Sequence, residues 1–211
     1  MNYQDFSECC NKTKVLIVGD IMLDRYVIGN VNRISPEAPV PVFLSESFKQ
    51  MLGGAGNVYN NLISLGVKTT LISLIGKDKA AVQILKILKN LKNTKFYLFK
   101  EENKPTTVKT RYSVKGQQLF RVDKEKTKEL SNLAYKFILK AFKKELLKHD
   151  VVILSDYNKG IFNKKLTEEL IKLSNKNKIP IIIDPKNKNF NIYKNSTLIT
   201  PNKLEAYSIT N

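Results

Sequence analysis

Six short, mostly apolar runs, separated by helix-period or turn-rich stretches, limit this chain to a small number of folds. They are Lys14–Val18, Thr70–Ile75, Lys95–Phe99, Val151–Leu154, Ile179–Ile183 and Thr197–Thr200. Several are apolar throughout instead of at alternate positions, the pattern of strands covered on both faces. Between them, Ala80–Leu91 carries apolar residues at 81, 84, 85, 88 and 91, and Leu130–Leu147 at 130, 133, 134, 137, 138, 141, 142 and 146. Leu166–Leu173 is a shorter helical example. Strand–helix–strand alternation predicts an α/β fold, with helices on both faces of a mainly parallel sheet.

Two stretches break that rhythm. Pro39–Ser45 follows the turn-rich Ser35-Pro36-Glu37, and Thr106–Asp123 reads as a hairpin with Lys115-Gly116 at its turn. Strands without intervening helices suggest a separate small sheet, with strands at about 25–45 and 106–123 forming a β lid over a site. Residues 1–13 read as a polar extension, and 14–211 as one domain.

Composition narrows the class. At 42% hydrophobic residues the chain can bury a core, and no apolar run approaches membrane-spanning length, so no membrane partner is expected. Residues 1–14 lack the apolar stretch of a secretory signal, and Cys9 and Cys10 are adjacent, so a reduced, cytoplasmic setting is the default. One histidine, His149, leaves little for a zinc site or a His-based triad. The net charge of +17 is enough to attract nucleic acid. Yet only four basic residues are arginine, asparagine occurs 21 times, and the lysines are scattered over every segment. That pattern fits a coding bias and a solvated basic surface, so a nucleic-acid partner is not expected.

Four predicted strands run directly into polar groups: Asp20, Asp156, Asp184 and, through Pro201, Asn202. In a parallel sheet these share the carboxyl edge, where ligands bind. Singly, each is as readily an N-cap or turn residue. Gly53-Gly54-Ala55-Gly56-Asn57 precedes a helix reaching Leu65, where glycines would let backbone N–H groups approach a ligand. A plain glycine turn reads equally well.

With Gly66 and Gly76 at their spacings, that run resembles the N-terminal signature of ribokinase-like (PfkB) carbohydrate kinases; Tyr59 stands where the signature has a small residue. Val18–Tyr26, Arg33–Pro41, Leu154–Gly160, Ile183–Lys186 and Leu198–Asn202 further resemble heptose-7-phosphate kinases, a domain often fused to an adenylyltransferase. The resemblance implies a ribokinase-like three-layer sandwich with a β lid. It also implies a late Gly-Ala-Gly-Asp carrying the general base; the last glycine here is Gly160, so that base is expected beyond Asn211 and the chain is expected to be a truncated kinase domain.

The resemblance also implies roles. Asp24, Gly53, Gly54 and Asn57 match sugar-hydroxyl binders, although Asp24 alone reads as a turn residue. Asn202-Lys203-Leu204-Glu205 matches the motif beside the nucleotide, with Glu205 ordering Mg²⁺ through water; its local alternative is a capping pair. Asp20, Asp156, Lys159, Asp184 and Lys186 fall along the phosphoryl path, though Lys186 reads equally as a surface lysine. Arg33, Arg111 and Arg121 are candidates for the substrate phosphate, or else exposed strand-face arginines. The implied reaction is ATP- and Mg²⁺-dependent phosphorylation of heptose 7-phosphate at its anomeric hydroxyl, on the way to lipopolysaccharide core, with small-molecule sugar phosphate and ATP as partners and a homodimer through the lid strands. The rivals are another sugar kinase, a non-catalytic remnant and a basic nucleic-acid-binding protein.

Overall fold

The computed structural model describes residues 2–92, 95–187 and 189–210; Met1 and Asn211, the outer limits of the expected segments, lie outside them. The first elements are α1 (Tyr3–Lys12), β1 (Lys14–Gly19), β2 (Ile21–Ile34), β3 (Pro41–Gly54), α2 (Ala55–Ser64) and β4 (Lys68–Ile75). Then come α3 (Lys79–Asn90), β5 (Lys95–Lys100), β6 (Val108–Val114), β7 (Gln117–Lys124) and α4 (Asn132–Glu145). The last are β8 (Val151–Ser155), α5 (Lys164–Lys176), β9 (Ile181–Asp184), β10 (Leu198–Ile199) and α6 (Lys203–Thr210).

All six predicted strands join one sheet in the order β10-β9-β8-β1-β4-β5, and every pair in it is parallel. Both faces are covered, as the uninterrupted apolar runs require. Along β1, Leu16 and Val18 pack with α4 and α5 residues such as Phe142 and Leu170, while Val15 and Ile17 pack with α2 and α3 residues such as Tyr59 and Ile84. Burying each such side chain is worth roughly 1.5–3 kcal/mol. The helices start where their sequences offer a cap: Asp78, Ser131 and Asn163 accept hydrogen bonds from Ala81, Ala134 and Leu166 N–H. The long pattern ending at Leu147 tightens after Glu145 into a 3₁₀ turn, Leu146–Lys148.

The expected lid is a separate four-stranded sheet, β3-β2-β6-β7. Lys115 and Gly116 both have positive φ, 48° and 83°, as the tight β6–β7 turn demands. The lid strands run further than the sequence indicated. β3 continues to Gly54, so Gly53 and Gly54 are strand residues paired with Met22 and Ile21, not a free loop before α2. Long-range pairing with β2, invisible in local sequence, carries the ladder through them. The polar extension is also folded: Asn2 and Asp5 form a reciprocal capping box, and Cys10 is buried in the α2/α3 core.

Candidate active site

The order of the sheet fixes where a ligand can enter. From β1 the chain extends the sheet one way through β4 and β5, then returns to build β8, β9 and β10 on the other side. β1 and β8 therefore flank the point where strand order reverses, and the crevice beyond their carboxyl ends is the preferred ligand position of open α/β sheets. Asp20 and Asp156 follow those two strands directly, Asp184 closes β9, and Asn202 follows β10. All four expected rim residues thus lie on one edge.

Buried carboxylates dominate this rim. Asp20 is 4% exposed, and its Oδ2 accepts hydrogen bonds from Tyr157 N (3.0 Å) and Lys159 N (3.1 Å), folding the loop after β8 over it. Burial raises its pKa, against the pull of those backbone donors and of Lys104. Asp156, 3% exposed, accepts from Asn158 N (2.6 Å) and from the Tyr193 hydroxyl (2.5 Å). Burial, with the charges of Asp20 and Asp184 adding to it, lifts its pKa to about 6. Burial and Glu205 raise that of Asp184. Three carboxylates held in this state form an electrostatically loaded edge, of the kind found where chemistry is done.

The Asn202–Glu205 motif is pre-formed. Asn202 and Glu205 cap each other at the start of α6, with Asn202 N donating to Glu205 Oε2 (2.8 Å) and Glu205 N to Asn202 Oδ1 (3.0 Å). Lys186 Nζ donates to Glu205 Oε1 at 2.5 Å. Burial works against ionisation of Glu205, but Lys186 and the Asn202 backbone outweigh it and lower the pKa. The capping pair is therefore real, and it leaves an ionised oxygen donor flanked by an amide. One carboxylate with little else fits a hydrated Mg²⁺ held through water better than a directly ligated ion. Lys203 and Leu204 lie exposed in the first turn of α6.

On the lid side, Asp24 of β2 accepts from Arg111 Nη1 (2.9 Å), and the Arg111 guanidinium stacks 5.1 Å from the Tyr26 ring centre. Gly53 lies against the same aspartate: a Cβ there would stand 2.6 Å from Asp24 Oδ2. Gly54 has φ 58° and ψ −133°, and hands the chain to α2 with Ala55 N bonded to Asp20 O (3.0 Å). Asn57 is exposed in the first turn of α2. Tyr59 is fully buried on the helix's other side, its hydroxyl on Lys95 O, so this large residue fills the core and not the crevice.

The three arginines are not gathered together. Arg111 is engaged by Asp24. Arg121 forms a two-point pair with Asp123 (2.7 and 2.9 Å), and Arg33 lies on the exposed outer end of β2, nine positions from Asp24. Arg111 and Arg121 are cross-strand neighbours, so they share one face of the lid. Lys159 reaches Glu125 (2.9 Å). Two residues were not found from sequence. Lys104 is half-buried, its pKa lowered by burial, and it bonds Lys159 O (2.5 Å) while facing Asp20. Tyr193 holds Asp156. Neither lies in a motif, since their positions depend on packing between distant segments.

The geometry is thus a parallel sheet with an acidic switch point, a capped Asn-x-x-Glu helix at the same edge and a second four-stranded sheet. Residues 12–211 match the pfkB family of carbohydrate kinases, and the chain belongs to that family. It is 40% identical over 200 residues to "Bifunctional protein HldE" of Aliarcobacter butzleri, covering 95% of this chain and 42% of that protein. With the protein of the same name from Nitratiruptor it shares 42% over 195 residues, 92% of this chain and 41% of that one. The chain therefore spans about two fifths of these curated relatives. Among solved structures it resembles Escherichia coli phosphofructokinase-2 in complex with substrates and products (TM-score 0.70, 17% identity, 94% of this chain and 63% of that one). A carbohydrate kinase from Agrobacterium tumefaciens is as similar (TM-score 0.70, 16% identity, 94% and 63%). At such identities these two speak to the fold alone, and that fold is the ribokinase-like one expected.

Proposed function

We propose that this domain serves transfer of the ATP γ-phosphoryl group to the anomeric hydroxyl of a heptose 7-phosphate, yielding the 1,7-bisphosphate and ADP. The observation that carries this reading is the coincidence of the specific similarity with the geometry. The segments that resemble heptose-phosphate kinases, Val18–Tyr26, Leu154–Gly160 and Ile183–Lys186, supply the residues around the switch-point crevice.

In this reading Asp24, Gly53, Gly54 and Asn57 bind sugar hydroxyls. Asp24 accepts from them, and Arg111 holds it in place. Arg111 and Arg121 sit close enough together on the lid to share an anionic 7-phosphate by exchanging their present carboxylate partners; Arg33 would need the outer lid to be brought closer. Asp156, Asp184, Lys159 and Lys186 line the path of transfer. The attacking sugar oxygen forms the new P–O bond, the bond to the bridging oxygen of ADP breaks with its electron pair, and the hydroxyl proton needs a placed base. Asn202 and Glu205 would hold hydrated Mg²⁺, which supplies charge neutralisation at the phosphates.

The 211 residues contain no Gly-Ala-Gly-Asp, and no glycine after Gly160. Losing a general base costs about 10²–10⁴ in rate and an oxyanion-type donor about 10²–10³. These residues alone are therefore proposed to bind sugar phosphate without turning it over. The experiment is an ATP-turnover assay with heptose 7-phosphate, first on the 211-residue chain, then on the chain fused to the C-terminal third of a related kinase domain. Turnover by the fusion alone supports the reading. Turnover by the bare chain would overturn the account of its base, and an inactive fusion would remove the proposed reaction.

The lid face bearing Phe48, Tyr112 and Phe120 adds a second proposal. These residues lie in one cross-strand row through Val27, with Phe48 66% and Phe120 47% exposed. An apolar row of this kind on a lid suits a second copy of the same chain.

A further inference from the structure

We propose that Tyr193 is a positioning residue of this site: its phenol ties the loop after β8 to the loop after β9, and thereby sets Asp156 against Lys186. The proposal rests on the reading above for its substrate, but on geometry alone for the tie.

Tyr193 ends a 3₁₀ turn, Phe190–Tyr193, between β9 and β10. It is 3% exposed, with its ring in the core beneath α5 and edge-on to Phe190 at 5.7 Å between centres. A phenol in such a position needs a partner, and this one has two on different loops. Its hydroxyl donates to Asp156 Oδ2 at 2.5 Å and accepts from Asn187 N at 3.2 Å. Asp156 Oδ1 meanwhile takes Asn158 N, and Asp20 takes Tyr157 N and Lys159 N, so the loop after β8 is pinned around two buried carboxylates. Beyond Asn187, Lys186 reaches Glu205 at the head of α6. One hydroxyl thus lies midway along a bonded path from the sugar side of the rim to its nucleotide side.

The electrostatics say why a hydroxyl is needed there. Asp20 faces Asp156 from the end of β1 and Asp184 from the end of β9. Lys104 compensates Asp20, and Lys186 compensates Asp184. No lysine or arginine is bonded to Asp156 among the described residues, so the phenol is its side-chain donor. Burial and the carboxylate push the Tyr193 pKa upward, so the phenol keeps its proton at any working pH. The competing account makes Tyr193 a core residue whose hydroxyl is merely satisfied. The two accounts differ in what Tyr193→Phe does. That change keeps the ring in the core but leaves Asp156 without its donor and Asn187 N–H without its acceptor.

The experiment uses the full 211-residue chain, wild type and Tyr193→Phe. Amide hydrogen exchange is read at Asn187 and Asn158 without ligand. Binding of heptose 7-phosphate is read by calorimetry from about pH 5 to 8, bracketing the Asp156 titration near 6. The expected results are faster exchange at both amides and binding weakened roughly ten-fold to a hundred-fold at neutral pH, the worth of a lost hydrogen bond to a charged group. The binding midpoint should also move to higher pH, because removing the phenol disfavours the carboxylate. Unchanged exchange together with an unchanged pH profile would overturn the proposal. If wild type binds no heptose 7-phosphate, the functional reading fails and the exchange arm alone decides the tie. If the Phe variant does not fold, the wild type suffices: a slowly exchanging Tyr193 hydroxyl proton, with a cross-peak to Asn187 N–H, is required, and its absence would refute the tie.

Discussion

Gly54→Ala should damage both stability and the site, and the structure gives its size. Gly54 lies at φ 58° and ψ −133°, outside the regions open to residues with a side chain. Holding alanine there costs about 1–3 kcal/mol in backbone strain. The new Cβ would also stand 2.3 Å from Asp20 O, a backbone atom that cannot swing away. Relief requires moving the β3–α2 junction and loosening the Ala55 N to Asp20 O bond (3.0 Å), worth a further 0.5–1.5 kcal/mol or so. The expected total is about 2–4 kcal/mol. Gly116 supplies the control: it too has positive φ, 83°, but a Cβ there meets nothing within 4 Å. Gly116→Ala should cost only about 1–2 kcal/mol, the left-handed conformation alone. Urea denaturation of wild type and both variants, compared at constant m-value, reads the difference. Equal losses at the two glycines would refute the claim that Gly54 is demanded by its contact with the Asp20 backbone.

Two more predictions address charge and assembly. Glu145, fully buried, is held ionised with its pKa lowered from 4.5 to about 2; burial opposes this, and Lys95, Tyr97 and Lys148 outweigh it. Its contribution is therefore full above about pH 4.5 and lost as pH falls toward 2. Because both lysines are about half exposed, it is discounted to about 1–2 kcal/mol. Glu145→Gln should lower the melting temperature at pH 7 and flatten its fall in acid; an unchanged acid limb would count against the ion pair. Phe48→Glu should leave folding intact, since the side chain is 66% exposed, and should shift sedimentation from dimer to monomer; a wild-type monomer would dismiss the lid interface.

The main sheet was legible because burial on both faces leaves a dense apolar signature, and because four of its six strands run into a polar residue at the carboxyl edge. The β6–β7 turn was equally plain in Lys115-Gly116. What escaped depended on partners far away in sequence. Gly53 and Gly54 read as loop because their pairing with Met22 and Ile21 across some thirty residues leaves no local trace. The N-terminal helix was hidden by polar composition; among its described residues Cys10 is the one buried in the core. The arginines were recognised, but not that β2–β6 pairing would bring Arg111 to Asp24. Lys104 and Tyr193 carry no motif at all, and only their positions against Asp20 and Asp156 mark them.

The switch-point crevice is proposed as a heptose-phosphate site. Calorimetric titration of the 211-residue chain with heptose 7-phosphate, alongside fructose 6-phosphate and inorganic phosphate, tests it directly, with Asp24→Asn in parallel. The expected result is saturable binding of heptose 7-phosphate, at least ten-fold tighter than the other two, and much weaker binding in Asp24→Asn, where a neutral amide oxygen replaces the charged acceptor and Arg111 loses its carboxylate. Equal affinity for all three anions, unchanged by Asp24→Asn, would contradict it and leave only a basic surface that attracts phosphate.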